Sequence, residues 1–171
     1  MVWRIISKGE LIKMVLNKKI GFTIGKFAPL HKGHQLLIET ALKEMDKLYV
    51  VVYETDLIDI NVEKRANWIR DLYPNVEILI AKNPPSKYGL DKESVEIQMS
   101  YLINVLGDIK PTHFYSSEPY GKCVADFLEI IDRRVDVSRN VVSISATEIR
   151  ENIERYKNMI PELVYRDLNN K

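Results

Sequence analysis

Short runs of β-branched and aromatic residues, each closed by turn formers or charges, recur at residues 20–24, 48–53, 76–81 and 112–116, with a fifth at 134–137. Runs of that length and composition predict buried strands. Between them apolar positions return every three to four residues. The clearest case is residues 33–46, where Leu37, Ile38, Ala41, Leu42 and Met45 share one helical face. The same period predicts helices near residues 62–72, 93–106, 122–131 and 147–156. Strands that alternate with helices imply right-handed crossovers and a parallel sheet covered on both faces. The expected fold class is therefore α/β, a doubly wound parallel sheet of five strands.

Residues 1–19 stand outside this alternation. Ser7-Lys-Gly-Glu10 has capping-box spacing and is followed by Leu11, Ile12, Val15 and Leu16, which predicts a short packing helix in an N-terminal extension. Residues 20–171 are expected to form one domain. The stretch 82–89, with Pro84, Pro85 and Gly89, is the long loop. Of the 171 residues, 46% are hydrophobic and 29% charged, an ordinary globular balance. Twenty-five basic against 24 acidic residues leave a net charge of +1, so no overall field draws the chain to nucleic acid or an anionic membrane. Any bound anion must be held locally. Cys123, the only cysteine, excludes an intrachain disulfide and a Cys-rich zinc site, and fits a cytoplasmic location. No apolar run approaches the roughly 20 residues of a membrane helix.

The segment Ile24-Gly-Lys-Phe-Ala-Pro-Leu-His-Lys-Gly-His34 lies between the first strand and the first long helix. In an open α/β sheet the crevice at the strands' carboxyl ends is the ligand site. Gly25 and Gly33 let backbone approach a ligand closely, while Pro29 stiffens the loop. A helix starting near Gly33 aims free N–H groups and its positive dipole end at that crevice, which suits polyphosphate. His31 and His34 add donors. Either histidine alone reads as an ordinary loop or core residue; the pair, three apart beside glycines at a helix start, points to phosphate. Gly21 to Lys26 is one residue short of a P-loop and is followed by Phe27 where Ser or Thr should bind magnesium, so a kinase-type reading fails.

Gly25-x-Phe27-x-Pro29-x-His31-x-Gly33-His34 resembles the first signature, HxGH, of the nucleotidyltransferase superfamily of adenylyl- and cytidylyltransferases. About 110 residues later, Ile144-Ser-Ala-Thr-Glu-Ile-Arg150 resembles its second. Alone, Ser145 and Thr147 would be helix N-caps and Arg150 a solvated side chain. The finer detail is similar to the nicotinamide-nucleotide adenylyltransferase domain of NadR-type proteins. Arg65-x-x-Trp68, Ser116-Ser-Glu-Pro-Tyr-Gly121, Val135-Asp-Val-Ser-Arg139 and the stretch 143–161 all match that pattern. The resemblance covers about residues 20–165.

The resemblance implies a Rossmann-like fold with helices on both faces. It also implies transfer of AMP from ATP to nicotinamide mononucleotide, giving NAD and pyrophosphate without a covalent enzyme intermediate. Such transfers ask a protein to align partners and stabilise oxyanion charge. By this pattern His31, His34 and Arg150 are catalytic, the histidines at the α-phosphate and Arg150, with Ser145 and Thr147, at the departing pyrophosphate. Gly25, Lys26, Phe27, Ala28, Gly33, Ser116, Ser117, Glu118 and Arg139 belong to the ATP side, although Lys26 reads equally as solvated and Glu118 as a surface carboxylate. Arg65, Trp68 and Tyr88 are the acceptor candidates; Trp68, at helical spacing with Ile69 and Leu72, reads equally as core. With no protein metal cage in the sequence, Mg²⁺ is expected to arrive with ATP.

Two departures stand out. NadR-type proteins often carry a ribosylnicotinamide kinase domain and sometimes a DNA-binding domain; neither is legible here, so no kinase activity, nucleic-acid binding or membrane association is expected. Where the family sets a tryptophan against the nicotinamide ring, this sequence offers Tyr88. The alternatives are a cytidylyltransferase or pantetheine-phosphate adenylyltransferase of the same fold, or a non-catalytic nucleotide-binding regulator. Homo-oligomerisation is left open.

Overall fold

In the computed structural model, which describes residues 18–87, 89 and 91–170, the β-branched runs pair side by side. Strands β1 (Ile20–Gly25), β2 (Lys47–Tyr53), β3 (Val76–Ala81), β4 (His113–Ser116) and β5 (Ile131–Arg134) form one sheet, parallel throughout, in the order β3-β2-β1-β4-β5. Helices α1 (Lys32–Glu44), α2 (Val62–Leu72), α3 (Lys92–Leu106), α4 (Gly121–Leu128), α5 (Ala146–Glu151) and α6 (Glu162–Asn169) connect and flank the strands.

The period of two along β2 divides the interior. Leu48, Val50 and Val52 pack with Ile38 and Ala41 of α1, Ala66 and Ile69 of α2, and Val164 and Leu168 of α6. Val51 faces the other way and joins Phe22, Phe114, Met99 and Leu102 of α3, and Val124 of α4. Each fully buried side chain of this kind contributes about 1.5–3 kcal/mol through removal from water. The helices start where the sequence supplies caps: the Asn61 side chain accepts from Lys64 N, that of Asp91 from Ser94 N, and Ser145 forms a capping box with Glu148. No described helix is long and apolar enough to cross a membrane.

Three boundaries differ from those expected. The fifth strand is Ile131–Arg134 rather than 134–137, because Glu129 turns left-handed (φ 54°) and stops α4 at Leu128. The chain then enters the sheet early, with Ile131 N donating to the Thr112 carbonyl. The helix expected over 147–156 is only Ala146–Glu151; Asn152 leaves helical geometry, and a 3₁₀ turn at Lys157–Met159 follows. Helix α6, absent from the expected elements, buries Val164 and Leu168 after Pro161 at its N-cap. Residues 1–17, and with them the expected N-terminal helix, lie outside the described residues.

The strand order positions the site. From β1 the chain builds outward to β2 and β3, then crosses over to add β4 and β5 on the other side. The connections therefore diverge at the carboxyl ends of β1 and β4, which opens a crevice there.

Candidate active site

A cleft of about 490 Å³ occupies that crevice. Its floor is the end of β1 at Thr23, Ile24 and Gly25, one wall is the start of α1, and the other comes from the β4 turn and the segment leading into α5. His31 is the N-cap of α1, and its Nδ1 accepts a hydrogen bond from Gly33 N at 3.1 Å. That acceptance leaves the ring proton on Nε2, which becomes a donor. A Cβ on residue 33 would come within 2.9 Å of His31 Cε1, so glycine is required for this cap.

The His34 ring lies 3.8 Å from that of His31 and 4.8 Å from Phe27, centroid to centroid. Its Nδ1 is buried with no partner among the described residues. Burial pushes the His31 pKa down to about 4, with the Arg139 cation adding to the effect. Burial, and then His31, hold His34 well below its usual value. Both imidazoles are thus neutral donors near pH 7. Phe27 reaches His34 from a left-handed backbone (φ 47°), and Gly25 leaves room for its ring, which a Cβ there would meet at 3.1 Å.

The two sequence signatures touch. Arg150 Nη1 donates to the Ala28 carbonyl at 2.6 Å and Nη2 to Thr147 Oγ1 at 3.0 Å, tying the start of α5 to the loop before α1. Ser145 Oγ donates to Glu148 Oε2 and accepts from Glu148 N, which fixes the first turn of α5. At the cleft mouth Arg139 Nη2 stands 3.3 Å from Glu118 Oε1. The Asp136 carboxylate is used inside its own loop, accepting from Val141 N and Val142 N. The result is a concavity of amides, imidazoles, hydroxyls and cationic nitrogen, chemistry that binds a polyanion and stabilises charge on its oxygens. Among the described residues no three His, Cys, Asp or Glu side chains gather into a metal-binding group.

The cleft brings together Gly25, Phe27, His31, Gly33, His34, Ser116, Ser117, Glu118, Arg139, Ser145 and Thr147. Lys26 and Ala28 do not line it; their carbonyls are taken by Arg65 and Arg150. Arg150 itself borders a neighbouring cavity of about 290 Å³, beside Pro29, Asp56 and Asp59, and meets the cleft through Thr147. Two acceptor candidates are corrected. Trp68 is 1% exposed, and its Nε1 donates to Asp167 Oδ2 at 2.7 Å, so no indole face is offered to a ligand. Arg65 is 0% exposed, its Nε and Nη1 donating to the Ile60, Tyr53 and Lys26 carbonyls. Both sit on the inward face of α2, where the helical period that carries Ala66 and Ile69 carries them too. Tyr88 lies outside the described residues.

Sequence reasoning missed Thr23, Phe114, Tyr120 and Gly121 in the lining. Gly121 carried the one available signal, as the end of the Ser116 to Gly121 turn. A Cβ there would collide with the Ser116 side chain, so only glycine lets α4 start against β4.

The model of the cytidylyltransferase-like family matches residues 22–152. The trifunctional NAD biosynthesis/regulator protein NadR of Escherichia coli (strain K12) is 30% identical over 163 residues, covering 84% of this chain and 39% of that protein. The chain thus spans about two fifths of the length of that relative. The phosphopantetheine adenylyltransferase of Fusobacterium nucleatum is 44% identical over 57 residues, 32% of this chain and 35% of that protein. Among solved structures, NadR protein in complex with NAD and AMP-PNP superposes with a TM-score of 0.63 at 23% identity, covering 86% of this chain and 46% of that one. The Rossmann-like fold is shared.

Proposed function

The chain belongs to the cytidylyltransferase-like family of nucleotidyltransferases, and from that premise we propose that it transfers AMP from MgATP to nicotinamide mononucleotide, forming NAD. The observation that carries this reading is the Arg150 to Ala28 hydrogen bond, which closes the two signatures around one cleft at the switch point of the sheet. In the proposed reaction an oxygen of the acceptor's 5′-phosphate attacks the α-phosphorus of ATP. The bond from that phosphorus to the bridging oxygen breaks, and pyrophosphate leaves.

His31 Nε2–H and the His34 imidazole donate to phosphate oxygens where charge grows, and the first turn of α5, which lines the cleft at Ala146 and Thr147, receives the β- and γ-phosphates while Arg150 holds that turn through Thr147. Bound Mg²⁺ would neutralise phosphate oxygens and keep much of its water. With the Asp136 carboxylate occupied by its own loop and Glu118 paired with Arg139, the cleft fits metal that comes with the nucleotide.

The extent of the NadR likeness, 84% of the chain, supports nicotinamide mononucleotide as the acceptor. A second reading, phosphopantetheine as acceptor, is favoured by the higher identity of the shorter Fusobacterium match. The test is pyrophosphate release and product mass with MgATP or MgCTP and a panel of acceptors. NAD is the expected product with nicotinamide mononucleotide. Turnover with phosphopantetheine alone moves the chain to the second reading, and ATP binding without turnover on any acceptor makes it a nucleotide-binding regulator.

A further inference from the structure

Arg65 is a fully buried cation without a hydrogen-bonded carboxylate among the described residues. Glu54 acts on it only at a distance, its Oε2 accepting from Asn83 N at 2.9 Å. A guanidinium used merely to fill space would be replaced by an apolar side chain of similar volume at no loss. What an apolar side chain cannot do is satisfy carbonyls. The β1 to β2 ladder ends at Gly25↔Val52, and the next carbonyls, of Lys26 and Tyr53, are the two that Arg65 Nη1 takes. The guanidinium replaces the missing rung where β1 turns toward α1.

That turn sets the catalytic geometry. The Lys26 carbonyl belongs to the peptide that leads into Phe27, whose left-handed backbone is one that L-residues hold only when their surroundings impose it. Phe27, 2% exposed, lays its ring against His34, and the His34 ring lies tilted against that of His31. We infer that Arg65 is a positioning residue for the imidazole pair: through the Lys26 carbonyl it holds the turn that sets Phe27 against His34. The inference deepens the proposed adenylyl transfer and rests on it for the role of His34. Arg65 Nη2 has no partner among the described residues, which fits a residue placed for the reach of its other nitrogens.

The test uses the full chain and has an arm that does not depend on activity. The sequence has three histidines, His31, His34 and His113, so their ring C–H resonances are assignable by single substitutions and can be titrated by NMR. Groups that act on the pair are His31 and His34 themselves and Arg139. In Arg65→Met the turn relaxes and Phe27 withdraws. The His34 pKa rises toward its ordinary value by about one unit or more as water reaches the ring. The kcat falls about ten- to a hundredfold while the ATP KM changes less than about threefold. Arg65→Lys, which keeps one donor, recovers part of both.

A dispersed, folded Arg65→Met protein with only a lower Tm and an unmoved His34 titration overturns the inference. Phe27→Leu tests the next link and covers the case in which Arg65→Met does not fold. It must move His34 in the same direction; an unchanged titration there also overturns the inference. If the unsubstituted protein turns over no acceptor, the functional reading fails, and the NMR arm still decides whether Arg65 positions His34.

Discussion

On the β4 side of β1, an arginine and two imidazoles border an open cleft; on the β2 side, an arginine and an indole are sealed inside. Both halves lie at the carboxyl edge of the same sheet and draw on the same residue types. The difference is where the donors end. Arg65 spends Nε and Nη1 on carbonyls of its own chain, and Trp68 gives its N–H to Asp167. Among the described residues the Arg139 side chain pairs only with Glu118, in a half-exposed ion pair of a kind worth about 0–1 kcal/mol, and His31, accepting at Nδ1, has Nε2–H as its ring donor. A donor that is satisfied internally builds the scaffold. One that the fold leaves available defines the site.

The largest effect expected from this contrast is on the sealed side. Trp68→Ala removes a fully buried indole and should lower unfolding free energy by about 3–5 kcal/mol in a denaturant titration. The KM values of the folded fraction for ATP and acceptor should be unchanged. A loss of acceptor affinity with stability intact would return the indole to the site and break the comparison. On the open side the order reverses. His34→Ala should lower kcat about 10²- to 10³-fold, as loss of one charge-stabilising donor does, with little change in melting temperature. Steady-state kinetics beside thermal unfolding checks this. A protein that melts early yet retains its activity per folded molecule makes His34 structural.

Gly121→Ala probes the border between the halves. Its Cβ would collide with Ser116, and relief requires β4 and α4 to move apart at the cleft. Overpacking of this kind costs about 1–3 kcal/mol, and here a raised ATP KM should accompany it. A stable variant with unchanged KM would show that the β4 to α4 contact does not shape the cleft.

The open half was the more legible in sequence, for a physical reason. Close backbone approach needs Gly25 and Gly33, and a helix start with two imidazoles three apart is an uncommon pattern, so chemistry left a mark on residue type. The strand and helix periods also sufficed for the sheet, since Val50 and Val51 must point to opposite cores. What could not be read were features that rest on partners distant in sequence. Arg65 and Trp68 look alike as ligand contacts or as scaffold until the Lys26, Tyr53 and Asp167 groups they meet are known. Helix α6 went unexpected because eight residues are fewer than an isolated helix needs, and its helicity rests on the docking of Val164 and Leu168. Residues such as Thr23 and Phe114 line the cleft from within β1 and β4, through the sheet order that brings those strands together, which no local pattern reports.

The smallest expected effect separates the halves by pH. In the sealed half the cation is a guanidinium, which stays protonated throughout the accessible range. In the open half two neutral imidazoles are held below their ordinary pKa, His31 at about 4 by burial and then Arg139, His34 by burial and then His31. An unfolded chain takes up protons at both histidines near pH 6.5, whereas the folded chain does not. Between pH 6.5 and about 4 the unfolded state therefore binds more protons, and stability falls as pH falls. At pH 5.5 the loss from His31 should be about 1.4 kcal/mol relative to pH 7.5, above the range in which carboxylates begin to protonate, and His34 adds in the same direction. His113, also held low by burial, contributes in the same direction and is removed as a control by His113→Asn. Pyrophosphate or MgATP should flatten the dependence, because a bound polyanion favours the imidazolium form. Thermal unfolding from pH 7.5 to 5 in the His113→Asn background, with and without pyrophosphate, reads all of this. If the slope survives in His31→Asn/His34→Asn, or pyrophosphate leaves it untouched, the cleft imidazoles are not the groups that titrate and the open half loses its claim to them.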